Sequence, residues 1–302
     1  MFLKTDSERI EYIRVTLPQV PLFNGIKPNA LEISAIKGGR SNFTYKVLIN
    51  NNSHVVRLSG NNTEAIVAIE AEGDCVELAS RLGLCPEVLY FDRQTRMQVS
   101  KYLENAQPMN NAAFNDLNNI KMAVTLFKKL HQADSNGMRD ARNIFSINRN
   151  YIALIEQAKH SLPEVYHKPK AQVAAIEAIM SEMSITKVPC HNDTQPPNFL
   201  MANNRMWLID FERAGLNDPV FDLAKLSTES EFSPQQDECI FNNYYAEHSP
   251  TEAEMQRFQL YKPVLRFNVA LWCRMKLVTE QHLTAEQIED FTKYEKKFIV
   301  SR

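Results

Sequence analysis

The stretch from Val188 to Leu226, VPCHNDTQPPNFLMANNRMWLIDFERAGLNDPVFDLAKL, constrains this chain more than any other part. His191, Asp193, Asn198, Asp210 and Asp222 follow in order, with Glu212 close behind Asp210. Pro196-Pro197 can neither sit inside a helix nor donate to a central strand, so Asp193 to Pro197 is predicted to be a rigid loop. Phe199-Leu200-Met201 and Met206-Trp207-Leu208-Ile209 flank Ala202-Asn203-Asn204-Arg205, and Asn tolerates the positive φ of a tight hairpin turn. A turn on Asn203-Asn204 pairs Leu200 with Trp207 and sets Asn198 opposite Ile209. Asn198 and Asp210 then meet at the open end of the hairpin.

An amide oxygen beside a carboxylate suits a hard divalent cation such as Mg²⁺, which takes oxygen ligands and is shared with substrate phosphates. Asp193, on the same loop as Asn198, then lies near the metal without binding it. That is the place for a group that accepts a proton from a substrate hydroxyl. His191 adjoins Cys190, but adjacent side chains rarely face each other and no orienting group is evident, so His191 reads as a hydrogen-bonded brace of the loop. Asp218 before Pro219 reads as a turn former, and Asp222 as a cap for the helical Leu-Ala-Lys-Leu run.

The order His-x-Asp-x4-Asn, hairpin, Ile-Asp-Phe is that of kinase catalytic and metal loops. Together CHNDTQPPNFL, LIDFERAG and NDPVFDLAKLSTES resemble the aminoglycoside phosphotransferase and choline kinase superfamily, and within it the bacterial choline kinase-like branch. The resemblance implies an α+β, two-lobed protein-kinase-like fold: an N-terminal antiparallel sheet with one main helix, and a larger, mainly helical C-terminal lobe. It makes Asp222 a support for the catalytic loop rather than a simple cap. Glu212 either reaches a second metal through water or is structural.

Upstream, the sequence reads as the matching nucleotide lobe. Asp6 to Leu17 has helical spacing in Ile10, Ile13 and Leu17. Leu31 to Ile36 reads as a strand entering Lys37-Gly38-Gly39-Arg40-Ser41-Asn42. Two glycines with Ser and Asn make a turn of exposed N–H groups and small polar side chains, suited to phosphate oxygens. It resembles the family's nucleotide loop and lacks a full G-x-G-x-x-G. Phe43 to Leu48 is the returning strand, Asn50-Asn51-Asn52 another turn, and His54 to Gly60 a third strand. Arg57 stands on it where a kinase needs a cation for the α- and β-phosphates.

Thr63 to Leu82 is helical, and an acid on it should pair with Arg57. Glu70, Glu72 and Glu77 compete; counting back from the family-like LGLCP segment favours Glu72. Pro86 to Phe91 and Met97 to Tyr102 are two more strands, and the lobe boundary is placed at 103/104, giving a nucleotide-binding lobe 1–103 and a catalytic lobe 104–302. Helices are predicted over Asn115 to Gln132, Tyr151 to Ala158 and Gln172 to Met183.

From Cys239 to Trp272 the chain is rich in aromatics, a pattern that fits helical core as readily as a ligand box. The resemblance implies a cationic acceptor held between helices of this lobe, by cation–π contact with Trp and Tyr faces. Trp272 and Tyr244 are the candidate pocket residues, with Glu229 as counter-charge.

Composition limits the alternatives. A formal charge of −2 and pI near 6.4 leave no basic stripe for nucleic acid. The N-terminus is charged too early for a signal peptide, and no apolar run is long enough to cross a bilayer. Five scattered cysteines without a C-x-x-C pair argue against structural zinc or a disulfide framework and point to the cytoplasm. The implied activity is transfer of the γ-phosphoryl of ATP to a hydroxyl of choline, ethanolamine or a related amino alcohol. Thiamine, aminoglycoside or sugar kinases are the rivals within the superfamily, though an aminoglycoside pocket needs many acids and the lobe after Glu231 is aromatic rather than strongly acidic. A non-catalytic nucleotide-binding protein is the rival of another class. The sequence is silent on oligomeric state.

Overall fold

The computed structural model describes residues 3, 5–36, 42–60, 69–280 and 283–300. Helix α1 (Asp6–Thr16) starts from a capping box, in which the Thr5 hydroxyl accepts from the Glu8 N–H and the Glu8 carboxylate accepts from the Thr5 N–H. Strands β1 (Glu32–Ile36), β2 (Phe43–Ile49), β3 (Asn52–Leu58), β4 (Val88–Phe91) and β5 (Gln98–Lys101) form one antiparallel sheet in the order β1-β2-β3-β5-β4. Asn50 and Asn51, with φ of 48° and 65°, make the β2–β3 turn, a conformation that asparagine tolerates better than most residues. Tyr45, Val47 and Ile49 alternate inward along β2 and pack with Val56, Val99, Ile13 of α1 and Leu17 just beyond it.

Helix α2 is described from Ile69 to Arg81; the predicted first turns, 63–68, lie outside the described residues. Its inward residues Cys75, Val76, Leu78 and Ala79 belong to the large core of the C-terminal part, with Phe127 and Phe199, rather than to the core under the sheet. The helix thereby ties the N-terminal sheet to the C-terminal half.

Beyond β6 (Gln107–Pro108) come α3 (Leu117–His131), α4 (Ile144–Gln157), α5 (His167–Ser181), β7 (Val188–Cys190), β8 (Phe199–Ala202), β9 (Arg205–Leu208), β10 (Gly215–Asn217), α6 (Pro219–Ser230), α7 (Pro234–Tyr244), α8 (Glu252–Thr279) and α9 (Ala285–Ile299). Helix α8 is the hub, packing on α4, α5, α6 and α9. Two helices begin earlier than predicted. Asn143 caps α4 by accepting from Phe145 and Ser146 N–H, and α5 runs through Pro169, which is tolerated in a first helical turn. Among the described residues no helix is long and apolar enough to cross a membrane.

The catalytic stretch folds as two small sheets. Cys190 of β7 pairs with Gly215 of β10, where an added Cβ would meet the Ala141 nitrogen at 2.6 Å, so only glycine lets these segments close. β8 and β9 form the predicted hairpin, with Leu200 opposite Trp207 and with Asn203 and Asn204 at φ 52° and 57°.

Candidate active site

The loop between β7 and β8 is held from below by Asp222, in the first turn of α6. Its carboxylate accepts from the His191 N–H at 2.8 Å and the Asn192 N–H at 2.7 Å, and its carbonyl accepts from the Thr194 hydroxyl at 2.8 Å. His131 Nε2 lies 3.1 Å from the same carboxylate. Asp218, not Asp222, is the helix cap, accepting from the Val220 N–H. The ring of His191 spans the loop: Nδ1 accepts from the Asp193 N–H at 3.2 Å, so Nε2 carries the hydrogen donated to the Ile209 carbonyl at 2.9 Å. Burial lowers the His191 pKa and favours this neutral ring.

Asn198 and Asp210 meet at the open end of the hairpin, where the Ile209 N–H donates to the Asn198 carbonyl at 2.9 Å. The Asn198 amide nitrogen donates to the Asp193 carbonyl at 2.8 Å and to its carboxylate at 3.3 Å, which leaves the amide oxygen for another partner. Asp210 adopts a left-handed backbone, φ 66° and ψ 64°, a conformation that costs a non-glycine residue energy and is found where a side chain must be aimed.

From the sheet, Arg57 reaches across to this point. Its guanidinium pairs with Glu72 of α2 and, at 2.6 Å, with Asp210. Of the three competing glutamates, Glu77 pairs instead with Arg93 at the surface, and the side chain of Glu70 lies outside the described residues. Asn42 donates to both Asp210 and Glu212 at 3.0 Å. Gly38, Gly39, Arg40 and Ser41 lie outside the described residues.

The acids do not share one electrostatic fate. Burial acts to raise Asp193, but Lys225, Arg213 and His191 overcome it and hold the carboxyl at about 2. Burial and the charge of Asp210 push Glu212 up to about 7. Asp210 is also raised, by burial and then by Asp193 and Glu72, against the pull of Arg57.

Three participants were not read from the sequence. Arg96, in the turn between β4 and β5, donates to the second oxygen of Glu72 at 2.6 Å, so Glu72 holds two arginines. Arg213 donates to the Tyr151 hydroxyl at 3.1 Å and lowers Asp193. Lys225 of α6 lies 3.2 Å from the Asp193 carboxylate and 2.8 Å from that of Glu229. A lysine in the otherwise uncharged run Leu223 to Leu226 was the legible signal; Arg96 had none.

The three acceptor candidates do not converge as a cage. Tyr244 turns its hydroxyl to His131 Nδ1 at 2.8 Å and packs its ring on His131 and Tyr245, behind the catalytic loop. Trp272 is half-buried and packs edge-on against Phe291, at 5.3 Å between centroids. Glu229 is buried and paired with Lys225. The expectation that Tyr244 and Trp272 flank one ligand gives way, for Tyr244, to a bracing contact.

A small antiparallel sheet over a helical body, with three oxygen-bearing side chains gathered at the open end of a hairpin and a cation reaching in from the sheet, defines a phosphotransferase of the protein-kinase-like fold. The sequence pattern of the choline/ethanolamine kinase family matches residues 33–262, and the chain belongs to that family. It is similar to the protein LicA of Haemophilus influenzae, at 25% identity over 280 residues, 90% of this chain and 80% of that one. Its fold is similar to that of a choline/ethanolamine kinase family protein from Mesorhizobium loti, with a TM-score of 0.76, 24% identity, and coverage of 96% and 92% of the two chains. Choline kinase LicA from Streptococcus pneumoniae gives a TM-score of 0.74 and 22% identity, covering 95% of this chain and 98% of that one. The chain is therefore an enzyme that moves a phosphoryl group from ATP to an alcohol.

Proposed function

We propose that the acceptor is choline, ethanolamine or a related amino alcohol, that Asp193 receives the hydrogen of its hydroxyl, and that Asn198 and Asp210 hold Mg²⁺. The observation that supports this most is the meeting of Asp193, Asn198 and Asp210 around one hairpin end, joined by the Asn198 amide. The donor set fits a hard cation: a spare amide oxygen beside two crowded carboxylates, Asp210 and Glu212, each raised by burial and by neighbouring negative charge. When bound, the ion supplies charge to the phosphate oxygens. In this reading Glu212 supports that ion, and Arg57, oriented by Glu72, holds the α- and β-phosphates together with Gly38, Gly39, Arg40, Ser41 and Asn42.

A carboxylate held at about 2 is a weak base. That suits an orienting role, because a loose phosphoryl-transfer transition state gives up the hydroxyl proton late. Asp193 accepts the hydroxyl hydrogen bond, aims the oxygen at the γ-phosphorus and takes the proton as the new P–O bond forms. The cationic head of the acceptor goes to Glu229 and Trp272. In this reading residues 1–103 form the nucleotide-binding lobe and 104–302 the catalytic lobe, working in the cytoplasm.

The test is ADP production across a panel of hydroxyl compounds. Choline or ethanolamine should stimulate it, and a panel in which no amino alcohol does so would overturn the acceptor assignment. Asp193→Ala should lower turnover by about 10²–10⁴-fold with affinity for MgATP retained. Asp210→Ala should instead lose the Mg²⁺-dependent part of nucleotide binding in calorimetry.

A further inference from the structure

Lys225 is 3% exposed, on a helix whose described residues are buried from Val220 to Ser230. Burying an ammonium is costly unless it is paired, and Lys225 is paired twice, with Asp193 and with Glu229 one helical turn on. Lys225 therefore bridges two carboxylates, and Arg213 adds a further positive charge that bears on Asp193. An incoming cation can take Glu229 while Lys225 keeps Asp193, so that neither carboxylate is left without a partner. Lysine suits such an exchange, being a point charge on a flexible stem rather than a planar fork. It also borders a small cavity of ≈ 10 Å³ with the amides of Asn192 and Asn217, room for about one water.

We propose that Lys225 is a selectivity residue: its ammonium competes with the acceptor's ammonium for Glu229 and, once displaced, stays on Asp193 beside the reacting hydroxyl. This rests on the proposed acceptor site at Glu229. Charged acceptors must then displace a resident cation, and neutral alcohols of the same shape gain nothing from doing so. Recognition of the acceptor's charge and placement of the Asp193 carboxylate become one event, carried by a side chain that touches both. Lys225 is a positioning residue in this scheme, since it acts on the hydroxyl through Asp193.

The experiment compares choline with 3,3-dimethylbutan-1-ol, its uncharged isostere, in wild type, Lys225→Met and Lys225→Arg. In Lys225→Met the KM for choline should fall about tenfold, the size of one competing buried charge contact, while the KM for the neutral alcohol stays within about twofold. The kcat should fall for both alcohols, and Lys225→Arg should recover part of it, because a cation again meets Asp193. Equal changes in both KM values, or a rise in the KM for choline, would overturn the proposal. If Lys225→Met melts below the assay temperature, Lys225→Arg decides alone: its choline-to-neutral KM ratio should shift at least about threefold, because a planar fork grips Glu229 differently, and an unchanged ratio overturns the idea. A wild-type enzyme that turns over neither choline nor ethanolamine removes the acceptor assignment and this proposal together. An active wild type with flat variants removes this proposal alone.

Discussion

Glu212 and Asp193 lie in the same buried cluster and respond to pH in opposite directions. Glu212 is raised to about 7, so its neutral form favours the fold. Its contribution is full below the ordinary carboxyl range and is lost as pH rises through about 7, at most about 3 kcal/mol. Asp193 is depressed to about 2, and its contribution is present above the ordinary carboxyl range and lost as pH falls through 2. Glu212→Gln should therefore lose less of its melting temperature between pH 5 and 8 than the metal-free wild type, the rest of the decline belonging to the raised Asp210; equal declines would remove Glu212 as the cause. At this scale the sequence showed identity better than partnership. Asp193, Asn198 and Asp210 were legible because the order of the motif and the Asn203-Asn204 turn place them together. The double hold on Glu72 was not, because Arg96 arrives from the β4–β5 turn, whose sequence separation from α2 carries no local signal.

Among the elements, α6 does most to hold the catalytic loop. Asp218 starts it, accepting from the Val220 N–H, while its other oxygen takes Arg257 of α8 at 2.7 Å and the Tyr261 hydroxyl at 3.2 Å. One carboxylate thus caps the helix, docks α8 and sets the height of Asp222 one turn later. Asp218→Ala should cost about 3–5 kcal/mol, since it leaves the Arg257 charge buried without this partner, and urea unfolding reads the loss as a lower midpoint. An effect under about 1 kcal/mol would mean that α6 is held by packing alone. Element positions were mostly legible where apolar period and turn residues agreed, as in the β8–β9 hairpin. The starts of α4 and α5 were not, because a capping Asn143 and a first-turn Pro169 both resemble loop residues until the helix beyond them is seen.

At the scale of the whole molecule, the contact that matters most is the Arg57–Asp210 pair, which runs from the nucleotide-side sheet to the catalytic hairpin. Under the proposed assignment MgATP exchanges this pair for contacts of its own, since Arg57 cannot serve Asp210 and the phosphates equally. MgATP at about 100 times its Kd should still stabilise the protein by about 2.7 kcal/mol, read as a rise in melting temperature. Arg57→Ala should keep the fold and lose most of that rise; a full rise in the variant would take Arg57 out of nucleotide binding. The two-part architecture was legible from the order of strands and helices, whereas the allegiance of α2 was not. Its apolar face looks the same whichever core receives it, and only the fold sends Cys75 and Val76 to the catalytic side.

All five cysteines are buried free thiols, and burial raises the pKa of Cys75, Cys85, Cys190 and Cys239. The intact enzyme should thus ignore alkylating dyes, and any label it takes up records a moment when some part of it came open. Cys190 abuts the loop that carries Asp193, so the order in which the sulfurs become modified would chart which half of the molecule loosens first, with no engineered probe.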